Sequence, residues 1–109
     1  MSMYLGDYNE DDTLHFTWDT SAIAGGSITR STDGTISVYK DNGVTQSVAG
    51  VTDTEDFDAL TGVHACTIVL TDGFYVTGAD YSVVLSASTI DGKTVNATLA
   101  GFSIENRFM

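Results

Sequence analysis

Carboxylates are the most abundant chemically capable groups in this chain, and two runs of them crowd together. Asp53, Glu55, Asp56 and Asp58 fall within six residues, and Asp7, Glu10, Asp11 and Asp12 within another six. Oxygen ligands at this density suit a hard cation such as calcium or magnesium, which makes Asp53, Asp56 and Asp58 the metal-ligand candidates. The spacing is not that of a calcium loop, because Asp53-Thr54-Glu55-Asp56-Phe57-Asp58 lacks the central glycine and the phase an EF-hand requires. A solvated acidic turn is the expectation, with weak cation binding as its alternative. Paired carboxylates also serve glycosidases, but no groove with aromatic platforms is evident in so small a chain.

Nucleophilic catalysis needs a nucleophile, a base and a group that orients the base. Only His15 and His64 work as bases near neutral pH, and neither sits in a catalytic motif. Gly-x-Ser-x-Gly is absent. Cys66 lies in phase with Ile68 and Leu70, as a small buried hydrophobe would, and His64 shares that face as a satisfied, partly buried histidine. His15 falls on the opposite face of its strand, where a titrating imidazole could sense pH. Gly25-Gly26-Ser27 lacks the lysine of a phosphate-binding loop, and Asn96-Ala97-Thr98 matches a glycosylation sequon that we take as ordinary strand residues. No catalytic residues, no cofactor and no small-molecule substrate are expected.

Charge narrows the partners further. Lys plus Arg number 4 against 15 Asp plus Glu, a net charge of −11 in 109 residues. Such a surface repels phosphate backbones and anionic lipid, so neither nucleic acid nor membrane is expected as a partner. Met1-Ser2-Met3 runs into Tyr4-Leu5-Gly6-Asp7 with no basic and apolar leader, so export by a cleaved signal is not expected either. Cys66 is the single cysteine, which excludes an intrachain disulfide and a multi-cysteine zinc site. With 42% hydrophobic residues the core must hold by packing alone.

The elements that would position these groups read as strands. Leu14, Phe16 and Trp18 alternate with Thr13, His15 and Thr17, and Ile36 and Val38 alternate with Ser37 and Tyr39, the period of a half-buried strand. Val63 to Leu70 puts His64, Cys66, Ile68 and Leu70 on one face, and Asp80 to Ser88 does the same for Tyr81, Val83, Leu85 and Ala87. From Thr94 to Asn106 the apolar phase begins on Val95, Ala97 and Leu99 and resumes on Phe102 and Ile104, with Gly101 placed for a bulge. Weaker strands surround Thr45 to Ala49 and Val51 to Asp53, and Glu55 to Leu60 could make one helical turn capped by Thr54. Asp33-Gly34, Asp41-Asn42-Gly43, Asp72-Gly73 and Asp91-Gly92 suit tight turns between antiparallel strands. The expectation is an all-β chain of about seven strands, with residues 1–12 as an N-terminal arm and residues 13–109 as one domain.

Tyr81 sharpens the class. It opens a strand directly after Thr77-Gly78-Ala79-Asp80, with Val83 two residues on, the spacing of a tyrosine corner in an immunoglobulin-like antiparallel sandwich. In that arrangement the ring packs in the core, the hydroxyl returns to nearby backbone, and Val83 packs where antibody domains carry a cysteine. Trp18 has no disulfide to pack on, which leaves exposure as a binding aromatic open as its alternative.

Tyr4-Leu5-Gly6-Asp7, Thr32-Asp33-Gly34-Thr35-Ile36-Ser37-Val38-Tyr39-Lys40, Thr52-Asp53-Thr54-Glu55-Asp56-Phe57-Asp58 and Phe102-Ser103-Ile104-Glu105-Asn106-Arg107-Phe108 resemble stretches of small acidic proteins encoded among tailed-bacteriophage structural genes. The likeness runs over most of the chain. It implies an immunoglobulin-like virion protein, made in the host cytoplasm and carried in the particle, with no catalytic motif to transfer. Fold likeness alone does not set function. The expected role is capsid decoration, in which the chain, as a homo-oligomer, binds the major capsid protein or other virion proteins and stabilises the lattice. A tail, neck or baseplate component is the alternative, and a calcium- or carbohydrate-binding adhesion module using Trp18 or Tyr39 is an alternative of another class. Aromatics and arginine dominate interface anchors, so Tyr4, Leu5, Tyr8, Phe102, Ile104, Arg107 and Phe108 are the interface candidates. Phe102 and Ile104 have a second expectation, that they simply complete the last strand.

Overall fold

The structure is a computed structural model that describes residues 3–105, so Arg107 and Phe108 lie outside the described residues. It is all-β, with strands β1 (Met3–Tyr8), β2 (Thr13–Asp19), β3 (Thr35–Lys40), β4 (Gln46–Ser47), β5 (Val51–Thr54), β6 (Val63–Val69), β7 (Ala79–Ile90) and β8 (Lys93–Ile104). Two sheets form, one in the order β1-β8-β7-β3-β4 and one in the order β2-β6-β5. Leu14 and Phe16 of β2, Ile68 of β6, Val38 of β3, Val83 of β7 and Phe102 of β8 are buried in a single cluster shared by both sheets. This two-layer arrangement is compatible with a β-sandwich. β2 and β6 follow the period of two that their sequences carry, each alternating between core and outer face without interruption.

β1 is a strand that periodicity alone did not reveal. It pairs with β8 in parallel, Tyr4 beside Gly101 and Tyr8 beside Ile104, so the sheet is mixed rather than wholly antiparallel. The register slips between Tyr4 and Asp7, where Gly6 takes φ 119°, a conformation closed to most side chains. The segment expected as an arm is therefore the edge strand of the larger sheet.

Three local expectations change. The slip in β8 falls at Leu99, because Val83 pairs with Ala100 and Val84 with Thr98, whereas Gly101 stays in register with Ser82. Leu99 and Ala100 are both buried, and this pair of consecutive inward residues produces the phase change that Gly101 was expected to make. In β7 the phase flips at Ala87, which is exposed at φ 56° with its N–H donated to Asn96 Oδ1 (2.9 Å), and Ser88 turns inward instead. The helical turn is a 3₁₀ turn over Phe57–Ala59 that follows Asp56, and no side chain caps it, so Thr54 has no such role.

Tyr81 behaves as its spacing predicts. Its ring is buried and stacks on Phe102 with centroids 5.0 Å apart, and its hydroxyl accepts the Val76 N–H (2.8 Å) and donates to the Phe74 carbonyl (3.1 Å). This ties the loop before β7 to the strand after it. At the other end of β7, Asp91 and Gly92 both take positive φ and close the long β7–β8 hairpin as a tight turn.

Candidate functional site

The acidic run that begins in β5 does not act as one group; Asp53 and Glu55 turn to a buried arginine, while Asp58 stays exposed. Arg30 lies in the connection between β2 and β3, and its side chain is fully buried. Nη1 reaches Asp53 Oδ2 at 2.8 Å and Nη2 reaches Asp53 Oδ1 at 3.0 Å, a bidentate pair, while Nη1 also donates to the Asp33 carbonyl at 2.9 Å. Glu55 Oε2 stands 3.8 Å from Nε. The guanidinium lies 4.7 Å from the centroid of the Trp18 ring, whose other neighbour is His64 at 4.6 Å between ring centres. β2 presents Trp18 inward, β6 presents His64, β5 presents Asp53, and the cation sits where these three strands point.

Hydrogen bonds fix the rim of this cluster. Asp56 is in the left-handed region, with Oδ1 accepting the Gly62 N–H (2.9 Å) and Oδ2 the Thr29 hydroxyl (2.6 Å). Those bonds, the Thr29 hydroxyl first, hold its carboxyl below the usual value. Glu55 is displaced upward, first by burial and then by the nearby Asp33. His64 is buried; its Nδ1 accepts the Asp56 N–H (3.3 Å), so Nε2 carries the proton and donates to Thr20 Oγ1 (2.9 Å), whose hydroxyl in turn donates a hydrogen bond to the Ile28 carbonyl. Burial, followed by the charge of Arg30, lowers the imidazole pKa. Trp18 Nε1, Arg30 Nε and Glu55 Oε2 are buried and have no hydrogen-bond partner among the described residues.

The metal candidates therefore do not converge. Both oxygens of Asp53 are taken by Arg30, those of Asp56 by Gly62 and Thr29, and Asp58 stands exposed on the 3₁₀ turn. Among the described residues no group of three or more His, Cys, Asp and Glu is placed to hold a metal ion. Trp18 is 8% exposed and so unavailable as a surface aromatic. Cys66 is buried, and burial, with Asp53 adding to it, pushes its thiol up to about 12, the opposite of what an attacking thiolate needs. His15 is on the surface, its Nδ1 3.0 Å from Thr67 Oγ1.

The interface candidates divide by burial. Phe102 and Ile104 are core residues of β8, so the completion of the last strand is the expectation that holds for them. Leu5 packs against the core, and Tyr8 does too, meeting Phe102 edge-on at 6.2 Å. Tyr4 is 54% exposed on the sheet edge, its hydroxyl 2.7 Å from Ser103 Oγ, which donates in turn to Asp7 Oδ1. The sequence reading missed Arg30 altogether, although a lone cation between Thr29 and Ser31 in so acidic a chain was its available signal.

Two concave surfaces flank β2. A cleft of about 480 Å³ lies between its C-terminal half and the start of β8, with Met3, Ile90, Val95 and Leu99 among its apolar walls. A second hollow of about 530 Å³ on the outer face of the smaller sheet is lined by His15, Thr17, Thr67 and Phe57 among others. No protein family, curated protein or solved structure matches this chain.

Proposed function

We propose that this chain is a non-enzymatic virion structural protein of immunoglobulin-like fold that works by binding other copies of itself and the shell of the particle, as a capsid decoration subunit. The strand order β1-β8-β7-β3-β4 over β2-β6-β5, with β1 parallel to β8, supports the immunoglobulin-like part, as does the Tyr81 hydroxyl bound to the backbone at Val76 and Phe74. The observation that carries the binding role is the edge formed by β1. Tyr4, 54% exposed, and Met3, 46% exposed, stand on β1, the outermost strand of the larger sheet among the described residues. An aromatic anchor on such an edge suits docking to a protein surface. The acidic surface supports a partner that is protein rather than nucleic acid.

The adhesion alternative loses Trp18, which is buried, and the carboxylate of Asp53, which Arg30 holds, so that half-buried Tyr39 is the aromatic left to it. Cryo-electron microscopy of the particle, with copy number from quantitative mass spectrometry, tests the proposal. Many copies at lattice junctions of the shell are expected. Six or twelve copies along one axis would move the chain to the neck or tail, and its absence from the particle would overturn the structural role.

A further inference from the structure

We propose that two copies of this chain pair edge to edge through β2, antiparallel and centred on Phe16, so that the two smaller sheets become one continuous sheet. The pairing does not depend on the virion setting, and the purified chain is enough to test it.

Among the described residues four strands stand at sheet edges, β1 and β4 in one sheet and β2 and β5 in the other. An edge offers unpaired N–H and C=O groups to any second strand, and folded proteins guard such edges with bulges, shortness or inward charges. β1 has its register slip, β4 is two residues long, and β5 is four residues long with Asp53 pointing inward at Arg30. β2 has none of these guards. Its seven residues pair with β6 in unbroken register from Thr13 to Asp19, with no glycine, no lysine and one acid at the last position.

Charge says what covers it. Each copy carries a net charge of −11, so a second copy can approach closely only where carboxylates are absent. Along the outward face of this edge Thr13, His15 and Thr17, with Ala65 and Thr67 behind them, bring no carboxylate, and Asp19 at the strand's end is the only one. The sequence of β2 is also self-complementary about Phe16. Antiparallel pairing there sets Leu14 opposite the second copy's Trp18, His15 opposite its Thr17, and Thr13 opposite its Asp19. Polar residues meet polar and apolar meet apolar, both inward faces stay turned to their own cores, and the strand's one carboxylate meets a hydroxyl rather than another carboxylate. The added strand would run along the rim of the cleft between β2 and β8, whose apolar floor is otherwise open.

Sedimentation velocity over a concentration series, at low and high salt, measures the association. A monomer–dimer equilibrium tightened by salt is expected, because salt screens the repulsion between two acidic copies. Thr13→Asp puts a carboxylate opposite Asp19 twice per dimer and should weaken dimerisation by about tenfold, and Thr13→Lys should strengthen it; both substitutions are at an exposed position and should leave the melting temperature near that of the parent. Mixing His15→Cys copies with Thr17→Cys copies under oxidising conditions should give a covalent heterodimer, while either variant alone gives little. A chain that stays monomeric at high concentration and high salt overturns the proposal. So does a dimer indifferent to Thr13→Asp and Thr13→Lys, or one disrupted instead by Thr52→Asp on the distant β5, which would mean that the sheets stack face to face.

Discussion

Arg30 grips both carboxylate oxygens of Asp53, at 2.8 and 3.0 Å, while its guanidinium carbon lies over the Trp18 ring, 4.7 Å from the centroid. The connection between β2 and β3 is thereby fastened to β5 and β2 at once. A charge buried this completely stabilises the fold only while its counter-charge is in place, so the pair fails asymmetrically when one member is removed.

Arg30→Ala should destabilise the protein by about 3–5 kcal/mol, because Asp53 and Glu55 are left facing each other without a cation. Asp53→Asn should cost less, since Glu55 remains within 3.8 Å of the guanidinium and Asp53 is itself partly exposed. Urea unfolding followed by tryptophan fluorescence reports both, and Trp18 is the only tryptophan, so its emission also reports the loss of the cation from its face. Equal and small losses for the two variants would mean that the pair contributes little.

Acid should weaken the fold through His64. Its pKa in the folded protein is depressed below the ordinary 6.5, chiefly by burial, so the unfolded chain takes up the proton first as pH falls. The stability associated with the neutral ring is fully present above that value and is lost as pH falls through the depressed one. Asp56 and Glu10, whose carboxyls are lowered by bonds from Thr29 and Thr77, act in the same direction at still lower pH, and Glu55, raised by burial, opposes them. Denaturant midpoints measured from neutral to mildly acidic pH should decline, and His64→Gln should flatten the first part of that decline. A parallel decline in the variant would assign it to other groups.

Cys66 should be silent in the folded state. With the side chain buried and the thiol pushed up to about 12, iodoacetamide at mildly alkaline pH should label the native protein only as fast as it opens, and immediately in guanidinium chloride. Rapid native labelling would contradict the burial of Cys66 in the core between the two sheets.

Tyr81→Phe removes one hydroxyl that serves two backbone groups, the Val76 N–H and the Phe74 carbonyl, and leaves the ring stack with Phe102 intact. The expected cost is about 1–3 kcal/mol, the range for stranding buried backbone polar groups. Hydrogen exchange should show the Val76 amide losing protection while amides in β2 and β6 keep theirs.

The strands that were legible in the sequence are those with one face in water. Thr13 to Asp19 and Val63 to Val69 alternate so cleanly that period alone located them and assigned the face of every residue. β1 was illegible because Met3 and Tyr4 are exposed while Leu5 and Gly6 sit beside a register slip, so no two-residue period survives. The bulge was drawn to Gly101 by the expectation that glycine marks irregular backbone, whereas the true slip needed only two neighbouring small or apolar residues turned inward together. The acidic turn was visible as charge but not as architecture. Its organising group, Arg30, is 23 positions away from Asp53, and nothing local in the sequence links the two.

The pairing of β1 with β8 joins residues that lie far apart along the chain. Tyr4 meets Ser103 across 99 positions. Closing so long a loop costs entropy before the contact repays it, and contacts at such separation slow folding. β1 therefore takes its seat only after β8 is formed to receive it, and that edge of the larger sheet is the part whose assembly depends most on the rest of the domain.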